Sequence, residues 1–326
     1  MTQALAVGID IGGTKTVFGI VDRDGNILAK GGMPTVGHET VEDFVAALNA
    51  LLTPLIEQVG RENVKGIGVG APNGNYYTGE IAFAPNLPWK GVIPFAKLIS
   101  DALGLPVTLT NDANAAAIGE MIYGCAKGMK DFIMVTLGTG VGSGFVANGQ
   151  LIYGHDGFAG ELGHVIAVRQ GRLCGCGRHG CLEAYASATG IAKTAEEWLR
   201  NRNDHTILRE SAGNIDAKLI HDAAEAGDIF AIEIFEYTGK ILGETLADMV
   251  AITSPEAIVF FGGLAKSGAF LFDPVHRHME ANMLRIFKDK VKLKLSALPD
   301  ADAAILGASA LVAVNNSNNV GVKHTL

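Results

Sequence analysis

A chain of 326 residues is long for a single core, so two domains are expected. It is 48% hydrophobic and 18% charged and holds 42 glycines, the make-up of a folded, glycine-rich protein rather than a disordered one. A net charge of -8 with no clustered Lys/Arg stretch argues against nucleic acid as a partner, because phosphate binding needs a basic face.

The opening "MTQALAVGIDIGG" has neither a basic n-region nor a small-residue cleavage site, and it reads as a short buried strand ending in glycines rather than a signal peptide. Next, "KTVFGIVDRDGNILAKGGM" is two apolar runs joined by Asp22-Arg23-Asp24-Gly25-Asn26, a hairpin. Residues 40 to 59 space their apolar positions as a helix does, with Thr40 as N-cap and Glu42 and Asp43 in the first turn. "VKGIGVGAP" is a strand, "PFAKLISDALG" a helix closed by Gly104, "PVTLTND" a strand and "ANAAAIGEMIYG" the helix after it. "DFIMVTLGTGVGSGFVANGQLIYG" then repeats the rhythm of strand, glycine turn and hairpin. Helices dominate 183 to 252, "AIVFFGG" is a strand into a glycine pair, a helix lies near 275 to 288, and "VKLKLSAL" is a strand. The helix "AAILGASALVAV" (303–314) precedes a polar tail, "NNSNNVGVKHTL", expected to be disordered. Strands alternating with helices give fold class α/β, built as two related halves. No apolar run is long enough to span a bilayer, so no membrane partner is expected and the cytoplasm is the expected compartment.

Three strands end on glycines: "GIDIGGTKT" (8 to 16), "LGTGVGSG" (137 to 144) and "FGGLA" (261 to 265). Glycine lets consecutive backbone N–H groups approach a bulky anion. Taken singly, such a pair is a tight turn. Three together, with Thr14 and Thr139 in two of them, point to a nucleotide cleft. The first is a near miss for a P-loop, because Thr14 stands where the lysine belongs; the second lacks the dinucleotide spacing. Asp10, at the end of its strand beside such a loop, is placed to hold Mg²⁺ through water, or merely to cap the turn.

"TLTNDANAAA" puts Asn111 and Asp112 where a strand stops and a helix begins, the edge at which ligands gather in open α/β sheets. Either residue would serve as a plain N-cap. In the functional reading, Asp112 accepts the proton of a substrate hydroxyl as it attacks a γ-phosphate, and Asn111 bonds to neighbouring hydroxyls.

Three of the four cysteines, Cys174, Cys176 and Cys181, fall within eight residues as C-x-C-x4-C. A reduced compartment disfavours disulfides, and three thiolates with one imidazole make a closed tetrahedral zinc site. The spacing leaves either His164 or His179 as the fourth ligand. Cys125 reads as an ordinary thiol and Arg178 as a solvated side chain.

With these segments in view, the chain resembles the ROK family of sugar kinases and sugar-responsive repressors. The resemblance rests on "DIGGTK" (10–15), "ND" (111–112), "GTGVGSG" (138–144), "GELGH" (160–164), "CGCGRHGCLE" (174–183) and "FGG" (261–263). It implies the actin/hexokinase-like ATPase fold, with two lobes and a central cleft: 1–112 plus 303–326 as the smaller lobe, and 113–302 as the larger lobe with the zinc loop and a helical dimerisation region. It implies ATP, Mg²⁺ and a structural Zn²⁺, a hexose substrate with glucose foremost, and a homodimer or homotetramer. Kinases for N-acetylmannosamine, N-acetylglucosamine, fructose or mannose are the alternatives within the family. A repressor of the other class carries a helix-turn-helix before its "DIGGTK"-type strand, which here begins within the first ten residues. The resemblance makes Asp112 the base and places Asn86, Asn111, Glu161, His164 and Glu183 on the sugar, with Asn86 otherwise a turn residue between prolines. Asp10, Gly12, Gly13, Thr14, Lys15, Gly138, Thr139, Gly140, Gly262 and Gly263 fall to the nucleotide side. His164 is favoured over His179 as the metal ligand, one ring nitrogen on the metal and the other toward the sugar.

Overall fold

The computed structural model describes residues 4 to 318. Residues 315 to 318 of the polar tail continue the last helix, against expectation, and 319 to 326 lie outside the described residues. The chain forms two compact units. One takes the chain up to Gly128, Leu151–Ala159 and the part from Ala297 onward; the other takes Met129–Gln150 and Gly160–Ser296.

The first unit is built on a five-stranded sheet in the order β3-β2-β1-β4-β7. Its strands are β1 (Leu5–Ile11), β2 (Lys15–Val21), β3 (Ile27–Pro34), β4 (Val64–Gly70) and β7 (Val107–Thr110). The first three form the meander that the Asp22–Asn26 turn predicts; β4 and β7 run parallel to β1. Asp22 fixes that turn by accepting from the amides of Asp24 and Asn26 at 2.9 Å. Helix α1 (Val41–Val59) starts at a capping box in which Thr40 and Asp43 bond reciprocally, and it buries the stripe Phe44, Leu48, Leu52 and Ile56. Helix α2 (Phe95–Leu103) ends at Gly104 in the left-handed region, φ 61°. Two short strands absent from the sequence reading, β5 (Ile81–Ala82) and β6 (Val92–Ile93), pair to close the loop that carries Asn86. Helix α3 (Asp112–Ile122) follows β7.

Leu151–Ala159 is fastened to this unit by Asn75, which is 3% exposed. Its amide donates to the Asp156 carbonyl at 2.6 Å, and its oxygen accepts from the Tyr77 amide at 2.9 Å. Tyr76 stacks on Tyr153 with ring centroids 3.9 Å apart.

Helix α9 (Ala303–Asn318) crosses the sheet over β1 and β4. Gly8 and Gly68 are register partners on those strands. A Cβ on Gly8 would overlap the Ile305 carbonyl, and one on Gly68 the Ala308 carbonyl. α9 also meets α3 closely: a Cβ on Gly119 would stand 2.8 Å from the Gly307 Cα. A helix rich in Ala, with Gly307 at its contact with α3, is therefore seated backbone to backbone.

The second unit carries a sheet in the order β10-β9-β8-β11-β12. The strands are β8 (Phe132–Leu137), β9 (Val141–Ala147), β10 (Gln150–Leu151), β11 (Ala257–Phe261) and β12 (Lys292–Leu295). Helices α4 (Glu183–Ala186), α5 (Ala188–Asn201), α6 (Ala217–Glu225), α7 (Ile229–Thr253) and α8 (Ala269–Asn282) supply the rest of a core that includes Phe230, Phe235, Leu246 and Phe260. The helix expected near 275 to 288 lies at 269 to 282 instead. Gly268, at φ 59°, opens it, and the extended Met283 ends it. Pro274 sits inside this helix, where Gly239 of α7 leaves room for its ring. Among the described residues no helix is long and apolar enough to cross a membrane.

The glycine seat of α9 generates a prediction. Gly68→Ala should destabilise the chain by about 1–3 kcal/mol through overpacking, read as a lower urea midpoint at unchanged slope. An unchanged midpoint would mean that α9 lifts off the sheet without cost.

Candidate active site and metal centre

Glycine turns close the C-terminal ends of β1, β8 and β11, as the sequence suggests. In the first unit, the β1–β2 turn is tightened by the Gly12 amide donating to the Lys15 carbonyl at 3.1 Å. Thr14 offers its carbonyl to the Thr35 amide at 2.9 Å, and the hydroxyls of Thr16 and Thr35 meet at 2.8 Å. Gly13 faces the loop of Asn86: a Cβ there would lie 2.7 Å from the Asn86 carbonyl oxygen. That loop is braced by Lys90, whose ammonium donates to the carbonyls of Leu87 at 2.9 Å and Pro85 at 3.3 Å. No spacing in the sequence signals this role for Lys90.

Asp10 is the next-to-last residue of β1, and Asp112 begins α3 just beyond β7. Gly70 of β4 stands between them; a Cβ on it would be 3.3 Å from Asp10 Oδ1 and 3.7 Å from the Asp112 Cα. The N-cap itself is Asn111, whose Oδ1 accepts from the Asn114 amide at 2.7 Å. Asp112 is thus released from capping and holds the first helical position, its Oδ1 accepting from the Ala113 amide at 2.9 Å. Asp10 is half-buried and Asp112 keeps an exposed surface, but surrounding protein displaces bulk water from both. That desolvation lifts Asp10 to about 7, with the Asp112 charge adding to it. It raises Asp112 as well, although the Ala113 amide opposes the shift. A carboxyl that is reachable but poorly hydrated is suited to take up a proton.

In the second unit, the turn 138–141 is closed by the Gly138 amide donating to the Gly140 carbonyl at 3.1 Å, and the Ala188 amide donates to the Gly138 carbonyl at 2.8 Å. Glu183 Oε2 accepts from the Val141 amide at 3.1 Å, in the space that a Cβ on Gly140 would fill. Gly163, between Glu161 and His164, leaves room for the Val141 carbonyl. Gly262, at φ 104°, lies against the Leu137 carbonyl at the end of β8. Thr139 sits at the apex of its turn, and Gly263 follows Gly262 with open space where a side chain would be.

The structure brings His164 to Cys174, Cys176 and Cys181, with all four ligand atoms within 4.8 Å of one another. Cys174 Sγ is 3.8 Å from His164 Nδ1, and Cys176 Sγ is 3.6 Å from Cys181 Sγ. A tetrahedral ion with bonds of about 2.0–2.3 Å to N and S needs edges of this size, so the set fits a thiophilic divalent cation. The loop is wrapped by the Cys174 amide donating to the Arg178 carbonyl at 2.8 Å, and by Gly177 and Gly180 at φ 85° and 83°. His179 turns away, its Nδ1 3.1 Å from the Gly171 carbonyl. Arg178 is exposed, as expected, and also donates to the His164 carbonyl at 2.8 Å. His164 Nε2 points to Glu161 Oε2 at 3.9 Å, and Glu183 Oε1 lies 3.6 Å from Cys174 Sγ. Burial pushes the Cys174 thiol up to about 12 and raises Cys181, whereas the Arg178 amide lowers Cys176. Metal binding would displace the protons of the first two.

The sequence profile of the ROK family matches residues 6–315. The glucokinase of Halalkalibacterium halodurans is 35% identical over 320 residues, 96% of each chain. The N-acetylmannosamine kinase of Citrobacter koseri is 32% identical over 307 residues, 94% of this chain and 97% of that enzyme. A crystal structure of a ROK family glucokinase from Streptomyces griseus, in complex with glucose and AMPPNP, superimposes with a TM-score of 0.77 at 33% identity, covering 94% of this chain and 99% of that one.

Two predictions come from these geometries. Below about pH 4 Asp10 is protonated both folded and unfolded; between about 4 and 7 only the unfolded chain ionises it, so the fold loses stability as pH rises. Asp10→Asn should therefore match wild type near pH 4 and exceed it by on the order of 2 kcal/mol at pH 8, measured by urea unfolding across pH. For the cysteine cluster, Co²⁺ titration of the reduced protein should give one equivalent with the intense absorption of a tetrahedral thiolate complex. Cys176→Ser should weaken both the binding and the bands; full binding by the variant would place the metal elsewhere.

Proposed function

The chain belongs to the ROK family, and on that ground we propose that it is an ATP-dependent hexose kinase acting on the 6-hydroxyl, with glucose as the hexose. The observation that carries the proposal is the placement of the Asp112 carboxyl, exposed and released from capping by Asn111, at the sheet edge beside Asp10.

In this reading the hexose takes hydroxyl ligands from Asn86, Asn111, Asp112, Glu161, His164 and Glu183. Asp112 accepts the proton of the 6-hydroxyl as that oxygen bonds to the γ-phosphorus, and the bond from the γ-phosphorus to the β,γ-bridging oxygen breaks, leaving ADP and a hexose 6-phosphate. Thr14, Thr139 and the amides of Gly12, Gly13, Gly138 and Gly140 surround the transferring charge, and Gly262 and Gly263 line the nucleoside side. Lys15 stands beside the first turn. Asp10 would hold Mg²⁺ through water, which, when bound, supplies charge neutralisation on the phosphates. A divalent cation there would favour the ionised form of Asp10 against the burial that raises it.

We assign the cysteine cluster to a structural Zn²⁺ held by His164 Nδ1, Cys174, Cys176 and Cys181. The bond to Nδ1 fixes the tautomer, so that Nε2 carries the proton and can donate to a sugar hydroxyl. The likeness to N-acetylmannosamine kinases supports a second substrate within the same chemistry. What separates the two is the space at C2 of the sugar.

The test is coupled ADP release with glucose, mannose, fructose, N-acetylglucosamine and N-acetylmannosamine, for wild type and Asp112→Asn. Wild type should turn over glucose with the highest kcat/KM. The variant should lose about 10²–10⁴-fold in kcat and still bind the sugar. Near wild-type turnover by the variant would remove Asp112 from the reaction, and a higher kcat/KM for another hexose would replace glucose.

A further inference from the structure

We propose that Glu183 is a positioning residue for the glycine turn 138–141, so that the carboxylate expected to bind sugar also holds the turn expected to bind phosphate. This rests on the kinase reading above and goes beyond the sugar contact.

The observations lie within the second unit. Glu183 Oε2 accepts from the Val141 amide at 3.1 Å across 42 residues of sequence. Gly140, beside Val141, has no side chain to obstruct that carboxylate; a Cβ on it would collide with Oε2. The Val141 carbonyl is received on its other side by Gly163, where a Cβ would also collide. Val141 is therefore held at its N–H by the segment after the cysteines and at its C=O by the segment containing His164. Both holding segments carry members of the cysteine cluster, Cys181 two residues before Glu183 and His164 one residue after Gly163. The Leu182 amide ties them together by donating to the Val165 carbonyl at 2.9 Å.

Two demands thus meet in one turn. Gly140 looks, from sequence, like a residue kept bare so that phosphate can approach. The structure supplies another cause, the approach of Glu183. Backbone φ at Gly140 lies outside the left-handed region, so Ala is conformationally acceptable there and its cost is the collision with Glu183. An ordered 138–141 turn presents its amides without paying for ordering when nucleotide arrives, which is preorganisation.

The experiment measures two quantities on full-length protein with its metal content verified: amide hydrogen exchange over 138–144, and affinity for a non-hydrolysable ATP analogue with Mg²⁺ in the absence of sugar. Glu183→Ala should speed exchange in the turn and weaken the analogue about tenfold, the scale of a lost hydrogen bond to a charged acceptor. Glu183→Gln keeps an acceptor oxygen for Val141 and should stay within about twofold on both readouts. Gly140→Ala should reproduce the Ala effect and add little to it in the double variant. A residue that only binds sugar would leave both sugar-free readouts at wild-type values in Glu183→Ala, and that result overturns the inference. If wild type itself binds no analogue, the kinase reading fails; the exchange of 138–144 in the three variants then decides the Glu183 contact by itself.

Discussion

A carboxylate that is open to a reactant yet poorly hydrated is the constraint around which the first unit is arranged. Asp112 meets it because Asn111 takes over the capping of α3, and because β4 contributes a glycine, not a side chain, between Asp112 and Asp10. The desolvation that raises both groups is unfavourable for the folded state. The fold sustains it through the packing behind the edge, where α9 lies directly on the backbone of β1 and β4.

Glycines recur in two physically different capacities. Gly8, Gly68, Gly119 and Gly307 serve packing, bringing helix and strand backbones closer than any Cβ allows. Gly13 and Gly140 serve turns, yet each also abuts a residue assigned to the sugar, Asn86 and Glu183. Phosphate-side and sugar-side elements are therefore not separate modules laid side by side. The elements proposed for the two roles share backbone surfaces within each unit, at Gly13 against Asn86 and at Gly140 against Glu183.

Much of this was legible in the letters. Capping chemistry marked α1 and α2, the Asp22–Asn26 turn marked the first hairpin, and the C-x-C-x4-C spacing marked the cluster, because each is a local signal. Spacing alone left either His164 or His179 as the fourth ligand, since chain distance does not say which imidazole folds back, and the family resemblance favoured His164; in the structure His164 joins the thiols. The displaced α8 shows a further limit. The ring of Pro274, inside the helix, packs where Gly239 on another helix leaves room for it. Gly8 reads as the first glycine of a phosphate loop but lies inside β1 under α9, and nothing near it in sequence tells of a partner at Ile305. Tertiary partners of that kind are invisible to periodicity.

The partnership of the first strand with the last helix has a temporal side. At a ribosomal pace of about 5–20 residues per second, roughly three hundred residues separating Gly8 from Ile305 correspond to some 15–60 seconds. The strip formed by Gly8 and Gly68 can gain its cover only at the end of that interval, when Ile305 and Ala308 have been made. The opposite half, contiguous apart from the excursion at Leu151–Ala159, can mature while the earlier-born half waits. Synthesis order and assembly order therefore differ: the half that begins first needs the last helix to complete its packing.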